Sequence, residues 1–208
     1  MSKLRSFFGP SKDEIWKQIT ADIGGEFIDG GFWDENVVVY KHGEWQIVLD
    51  TCTVTVSTGS TTTATTYTRM RAPFINKDGL YFNISHEGFF SSIGKFFGMQ
   101  DIEIGDPFFD EQFLIKGNSP EKIKLLFADD RIWELCQRLP EIHLWIKDDE
   151  GLFGTDFPEG VDELHFECAG VITETALLKS LFGLFCLILE RLVQIDSAYE
   201  DDPQITLK

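Results

Sequence analysis

Two short segments near the end of the chain alternate apolar with polar residues, as half-buried strands do. The alternation places His143 and Trp145 on the outer face of the first segment, and His165 and Glu167 on that of the second. If the two segments pair as antiparallel strands, these four side chains share one surface. Two imidazoles and a carboxylate can bind zinc or iron, or act as acid and base. His143, His165 and Glu167 are therefore the candidate metal or catalytic set, and a solvated sheet surface is the alternative.

Motifs of several enzyme classes are absent from the sequence. Residues 88–95 resemble a phosphate loop, but five residues separate the glycines instead of four, and Phe96 follows the lysine. There is no G-x-S-x-G nucleophile elbow. The H-x-E of zinc deaminases occurs at His165, without the P-C-x-x-C that accompanies it. The motifs therefore favour binding over catalysis, and we predict no cofactor.

The charge of the chain restricts its partners. It carries 35 acidic and 18 basic side chains among 208 residues, a net charge of −17. Nucleic acids and anionic membranes bind basic surfaces, so this balance argues against both. A basic protein is the partner that such a surface suits. We expect partner-binding residues in the acidic segment 101–111; these are Asp101, Glu103, Asp106, Asp110 and Glu111.

The segment immediately before it, residues 88–99, is rich in phenylalanine and glycine and contains no acidic residue. Phe89, Phe90, Phe96 and Phe97 are the other candidate partner-binding residues. Aromatic pairs at this spacing are typical of a core or a protein-binding groove. A short amphipathic helix lying on a membrane is the alternative, which the surrounding acidic residues disfavour.

The pattern of elements predicts an α+β fold. Ser11 and Glu14 form a capping box that opens a helix. Several strands follow, the last two of them short and over residues 101–105 and 112–116, then short helices from Pro120 onward, then the two strands described above. An apolar helix over residues 173–195 ends the fold and should be buried. This order predicts a mainly antiparallel sheet packed against a few helices, in a single domain over 1–208 with a possible subdivision near 74–79.

A long threonine-rich hairpin is predicted around Gly59. Ten threonines lie between Thr51 and Thr68, both included, as expected of a solvated β-face. In the first strand the apolar positions change from odd numbers, such as Leu49, to even numbers, such as Val54. Because a strand face repeats every two residues, this change predicts a bulge near Asp50.

The four cysteines contain no C-x-x-C pair and lie among apolar neighbours. We expect them to be reduced thiols in a cytoplasmic protein. The most apolar run, residues 180–189, is too short to span a membrane.

Residues 98–118, GMQDIEIGDPFFDEQFLIKGN, resemble a family of uncharacterised bacterial proteins, and the similarity extends over roughly residues 70–195. The pattern of Phe109, Phe113 and Ile115 before a helix is also similar to a wider bacterial domain of unknown function, sometimes found beside transmembrane segments. The resemblance implies a bacterial source and no particular activity, so it assigns no site residues.

These observations lead to three hypotheses. The first is a non-catalytic protein-interaction or inhibitor/immunity-type module that uses an acidic surface around residues 101–111 and 148–162. The second is a metal-binding protein or hydrolase that uses His143, His165 and Glu167. The third is a peripheral membrane module that uses residues 88–99. The oligomeric state is left open.

Overall fold

The computed structural model describes residues 10–31, 35–86, 101–139, 141–148 and 155–207. Within them lie five helices and nine strands. The helices are α1 (Lys12–Ile23), α2 (Pro107–Gln112), α3 (Pro120–Leu126), α4 (Asp130–Arg138) and α5 (Thr175–Gln194). The strands are β1 (Glu26–Ile28), β2 (Val37–His42), β3 (Trp45–Thr58), β4 (Thr61–Asn76), β5 (Phe82–His86), β6 (Phe113–Gly117), β7 (His143–Lys147), β8 (Val161–Ala169) and β9 (Ala198–Tyr199).

All nine described strands belong to one sheet, in the order β1-β2-β3-β4-β8-β7-β5-β6, with β9 pairing the end of β4. Every strand pair is antiparallel. The predicted α+β class with an antiparallel sheet is therefore confirmed. Residues 74–79 complete β4 and begin the turn to β5, which lies in the same sheet.

Two rows of side chains across the sheet show how its faces differ, because residues directly opposite in antiparallel strands share a face. One row is fully buried and apolar; its members are Leu49, Met70, Phe166, Leu144, Ile84 and Ile115. The next row is largely polar; its members are Val48, Arg71, His165, Trp145, Asn83 and Lys116. The helices pack on the apolar face. We call the opposite side the polar face.

Local sequence signals explain where the helices begin. Ser11 caps α1 through the predicted capping box, and Gly24 ends it with a positive φ of 75°. Helix α5 buries eight of its residues, from Leu178 to Leu192, against the core, as predicted. Its N-cap is Glu174, one residue after the expected cap at Thr173, and the Glu174 side chain makes no capping hydrogen bond.

Two expectations about the strands are wrong. The pairing of β3 with β4 is continuous from Val48 to Thr58, so there is no bulge at Asp50. The apolar positions change parity because β3 leaves the core after Thr51 and its later residues face solvent. Residues 101–105 are not a strand. The adjoining helix α2, which the sequence reasoning missed, begins at Pro107 with Asp106 as its N-cap.

Beyond the core, β3 and β4 continue as a two-stranded ribbon that turns at Gly59 and Ser60, as predicted. We call residues 51–68 the threonine ribbon. Residues 53–64 are all exposed. In the described parts of the chain, no helix is long and apolar enough to cross a membrane.

Candidate functional site

The polar face brings together the residues that the alternation predicted to share a surface. Strands β7 and β8 are antiparallel, with Trp145 opposite His165. The indole of Trp145 lies between two imidazoles, with ring centroids 4.0 Å from His143 and 4.3 Å from His165. Glu167 lies on the same face, 3.9 Å from Nε2 of His165. The predicted convergence of His143, His165 and Glu167 is therefore confirmed.

The solvated surface expected as the alternative is wrong for the centre of this face. His165 is 2% exposed and Glu163, two residues before it, is fully buried. Arg71, on the neighbouring strand, is 1% exposed. Charged side chains are almost never buried to this extent unless they are paired. The partners of these groups therefore decide what the site can do.

Strands β3 and β4 supply the first group of ion pairs. Asp50 accepts two hydrogen bonds from Arg69, at 2.9 Å from Nε and 2.7 Å from Nη2. It also accepts one from Nη2 of Arg71, at 2.5 Å. A single carboxylate thus holds two guanidiniums. Asp50 itself is 5% exposed, so these are charge-assisted bonds in a largely dry environment.

Strand β8 supplies the second group. Nδ1 of His165 lies 2.6 Å from Oε1 of Glu163, while Nε2 faces Glu167. Burial acts to raise the pKa of Glu167, but His165, His143 and Arg69 outweigh it, and the net effect is a lowered pKa. Glu167 is therefore ionised at neutral pH. We call Asp50, Arg69, Arg71, Glu163, His165 and Glu167 the charged cluster.

His143 behaves differently from the cluster beside it. Burial lowers the pKa of His143 from 6.5 to about 4, against the opposing charge of Glu167. The amide of Asn83 lies 3.2 Å from its Nε2 and can donate a hydrogen bond to the neutral ring. His143 is therefore an uncharged imidazole at neutral pH, and its low pKa makes it a weak base.

A metal site, however, needs several ligands at one point. Among the described residues, no group of three or more His, Cys, Asp or Glu side chains is arranged to hold a metal ion. Trp145 separates the two imidazoles, and Glu163 already occupies Nδ1 of His165. His143, His165 and Glu167 thus share one surface of the sheet, but they are not arranged around a common point as the ligands of one metal ion would be.

Three buried oxygens on this face lack a hydrogen-bond partner among the described residues. They are Oε2 of Glu163, Oδ1 of Asn83 and Oγ of Ser85, on side chains that are at most 1% exposed. Buried polar atoms in native proteins are nearly always hydrogen-bonded. These oxygens are acceptors open to a water molecule or to another donor.

The other half of the polar face, over β1, β2 and the start of β3, is open. A groove of about 970 Å³ runs across it, within the size range of known ligand pockets. Its apolar lining includes Val37, Val39 and Val48, which are buried or half-buried. Its exposed carboxylates are Glu26, Asp29 and Glu35. We call this feature the sheet groove.

One end of the sheet groove reaches the charged cluster, because Asp50 and Arg69 line both. Thr206 and Leu207, from the C-terminal tail, also line it. Glu35 accepts a hydrogen bond from Lys12 at 3.2 Å and another from Thr51 at 3.0 Å, which fixes that carboxylate at the border of the groove. The groove therefore combines an apolar floor with an acidic border.

Two of the five carboxylates in the acidic segment 101–111 accept hydrogen bonds from the backbone of the segment itself. Asp106 caps α2 by accepting from the N–H groups of Phe108 and Phe109, at 2.9 and 3.0 Å. Asp110 accepts from the N–H groups of Ile104 and Gly105, at 2.8 and 3.0 Å. Both carboxylates thus hold the segment in shape.

The remaining acidic residues of the segment face solvent. Asp101 lies 3.6 Å from Lys116, and Glu103 and Glu111 are exposed. A smaller groove of about 460 Å³ lies between this segment and α4, where Asp106, Asp130 and Glu134 surround Trp133. We call it the α4 groove. Phe89, Phe90, Phe96 and Phe97 lie outside the described residues, as does the whole of the proposed membrane-contact segment 88–99.

Comparisons with known proteins add little to this geometry. No family model matches the chain, and no curated protein sequence matches it. Among solved structures, the fold is similar to that of the mycobacterial trehalose monomycolate transport factor A, TtfA, at 9% sequence identity and a TM-score of 0.49. That match covers 88% of this chain and 93% of the other. The resemblance to an uncharacterised bacterial family stays a prediction.

Sequence reasoning missed the basic half of the charged cluster, although a signal for it exists. Arg69 and Arg71 alternate with Met70 and Ala72, the period of a strand with one apolar face. Asn83 and Ser85 alternate with Phe82 and Ile84 in the same way. What the sequence does not contain is the order of the strands, which places all four on the face that carries His165.

Proposed function

We propose that this protein is a non-catalytic binding module that holds an extended basic segment of a partner protein in the sheet groove. The observation that carries the proposal is the groove itself, an apolar floor bordered by carboxylates on the open half of the polar face. The hypothesis of an acidic interaction surface is thus kept, with its position moved from residues 101–111 to strands β1–β3.

The shape of the sheet groove supports an extended ligand. Alternate side chains of an extended peptide point to opposite sides. Apolar residues at every second position would pack against Val37, Val39 and Val48, and the intervening residues would point away from the sheet. The ligand would lie beside β1, an edge strand of three residues, or across β1–β3.

The charges of the groove support a basic ligand. Glu26 and Asp29 are exposed at its border, whereas its basic residue Arg69 is already bound by Asp50. Lysine or arginine side chains between the apolar positions of the peptide are long enough to bend back over its backbone and reach the exposed carboxylates at the border of the groove. The net charge of −17 would also speed the approach of a basic partner at low ionic strength.

The experiment uses a fluorescent octapeptide that alternates valine with lysine, and a second that alternates valine with glutamate. We expect the lysine peptide to bind the full chain, with affinity that falls as salt is added, and the glutamate peptide not to bind. Binding is measured by fluorescence anisotropy at low and high salt.

Two charge-reversal variants then locate the binding site. Glu26→Lys changes the border of the sheet groove, while Glu134→Lys makes the same change on the exposed side of the α4 groove. We expect Glu26→Lys to weaken binding of the lysine peptide about tenfold, or roughly 1.4 kcal/mol, and Glu134→Lys to change it less than about twofold. The reverse order would move the site to the α4 groove and refute the proposal. Equal binding of both peptides would refute the role of charge.

A further inference from the structure

The threonine ribbon is the longest uncharged part of the molecule's described surface. Residues 51–68 contain no Asp, Glu, Lys, Arg or His, although a quarter of the chain is charged. Val54 is 48% exposed and Val56 is 54% exposed. These two valines share one face of the ribbon with Thr63 and Thr65, which lie directly opposite them.

Along the ribbon, the outer edge of β3 pairs with none of the described strands. The pairing of β2 with β3 stops at Leu49, and no described strand pairs with β3 on that side from Asp50 to Thr58. The outer edge of β4 is shorter, because the N–H of Gly170 bonds to the carbonyl of Thr66 at 2.8 Å and β8 begins to pair at Thr68. The β3 edge is therefore the longer template for another strand.

This edge lacks the devices that normally prevent strand pairing. Natural edge strands carry lysine, proline, an inward charge or a bulge. The ribbon has no proline and no charge, and its register is continuous to Thr58. A regular uncharged edge is a site where another strand can add with its full set of backbone hydrogen bonds.

The direction of the free backbone groups follows from the turn. Thr58 and Thr61 flank a two-residue loop, so they form a hydrogen-bonded pair and every second pair below them does too. The even-numbered residues of β3 thus bond to β4. The N–H and C=O groups of Thr53, Thr55 and Ser57 point outward from the ribbon.

We propose that two copies of this chain pair through the β3 edges of their threonine ribbons, antiparallel, about a twofold axis at Thr55. In this register Thr55 lies opposite Thr55 of the second copy, and Thr53 lies opposite Ser57. Val54 then lies opposite Val56 in a closely spaced non-hydrogen-bonded pair, and the symmetry gives two such pairs. Four exposed valines would join into one apolar cluster at the centre of a sheet that is continuous across the two copies.

The charge of the molecule favours a second copy as the occupant of this edge. Two chains of net charge −17 repel each other across most of their surfaces. The ribbon is the region where they can meet without bringing carboxylates together. A second copy also carries the matching valines, whereas the basic ligand proposed for the sheet groove would find no carboxylate on the ribbon.

Sedimentation velocity tests the association. It is measured over about a hundredfold range of protein concentration, because the fraction of dimer rises with concentration. We expect a monomer–dimer equilibrium that Val54→Asp abolishes. The control is Thr62→Asp, which adds the same charge on the other strand and the opposite face; it should weaken the dimer less than about threefold. A monomer at every concentration, or assemblies larger than a dimer, would overturn the proposal. Equal loss of the dimer in both variants would also overturn it.

Disulfide trapping tests the register. In a Cys52→Ser background, which removes the native thiol of the ribbon, single cysteines replace Thr53, Thr55 or Ser57. Opposed residues in such a pair lie about 5.5 Å apart at Cα, within reach of a disulfide. We expect Thr55→Cys to give a covalent dimer under mild oxidation at least about tenfold faster than Thr53→Cys or Ser57→Cys. Equal rates, or faster trapping at position 53 or 57, would contradict the register.

Discussion

The two halves of the polar face belong to the same sheet, but their charged side chains differ in burial and in pairing. Over β3, β4 and β8, Asp50 binds Arg69 and Arg71, and Glu163 binds His165; all of these except Arg69 are nearly out of contact with water. Over β1 and β2, the carboxylates of the sheet groove are exposed and surround an apolar floor. The charges of the cluster are thus paired with one another, although Oε2 of Glu163 has no described partner, whereas the border carboxylates Glu26 and Asp29 of the sheet groove are exposed.

The comparison teaches that the number of charged residues says little about a site until their partners are known. The histidines attract attention in the sequence because their chemistry is versatile. In the structure, His165 is held by Glu163, and His143 is kept neutral by burial. The surface that is open to a ligand consists instead of the less conspicuous valines of β2 and β3 and the carboxylates Glu26, Asp29 and Glu35.

The largest effect is expected from breaking the charged cluster at Asp50. Asp50→Asn leaves Arg69 and Arg71 without their shared carboxylate, and Arg71 is 1% exposed. Removing one partner of a buried ion pair costs about 3–5 kcal/mol, which we expect as the loss in free energy of unfolding in urea. The control is Asp22→Asn, which breaks the ion pair with Lys179, where the two side chains are 35% and 50% exposed, and should cost about 0–1 kcal/mol. Equal losses would show that burial of the cluster does not matter energetically.

Next in size is the dependence of stability on pH. The pKa of His143 is about 4 in the folded protein and near 6.5 when unfolded, so the unfolded chain binds more protons between these values. Stability should therefore fall as the pH is lowered from about 6.5 to about 4, by on the order of 2 kcal/mol after allowing for the partial exposure of the ring. His143→Gln, which keeps an acceptor for Asn83, should flatten this slope in urea titrations.

Two other groups must be separated from His143 in that experiment. Burial also lowers the pKa of His86, so His86→Gln identifies the part of the slope that remains. Glu167 has a lowered pKa, and its contribution is lost only below its ordinary value of 4.5, as the pH falls through the folded pKa. An unchanged slope in His143→Gln would contradict the neutral buried imidazole.

The smallest effect concerns the cysteines. Burial raises the pKa of Cys168 to about 11 and that of Cys186 to about 12, and Cys136 is fully buried. The pKa of Cys52 is also raised, mainly by burial, although Arg69 opposes this. Cys52 lies where the charged cluster meets the threonine ribbon, and among the described residues it is the only one of the four thiols close to a cation that opposes the effect of burial on its pKa. A thiol reagent at neutral pH should therefore label Cys52 first, yet more slowly than a free peptide thiol. Faster labelling of Cys168 or Cys186, measured by mass spectrometry, would contradict this order.

The sequence predicted the class of the fold because its local signals are strong. The capping box of α1, the apolar helix α5 and the alternation in β7 and β8 all appear in the structure. The prediction of a bulge at Asp50 was wrong because it assumed that the apolar residues along the whole of β3 face the core. The second half of β3 lies outside the core, so its apolar residues are on the other face without any bulge. Local patterns do not reveal where a strand stops being buried.

The candidate site was only half predictable for a related reason. The shared surface of His143, His165 and Glu167 depends on one pairing between neighbouring strands, which alternation suggests. The approach of Arg69 and Arg71 depends on β4 pairing with β8, about a hundred residues apart in sequence. The sheet groove depends on Glu26, Val39 and Val48 meeting across three strands, which no periodicity in the chain contains.

The central claim is that the open half of the polar face, and not the acidic segment 101–111, binds a basic extended chain. The most direct measurement is a methyl NMR titration of the full-length protein with the valine–lysine octapeptide. We predict that the largest shifts fall on the methyl groups of Val37, Val39, Val48 and Leu207, which line the sheet groove. Shifts concentrated at Ile104 and Ala128 of the α4 groove, with the valines unchanged, would contradict the claim.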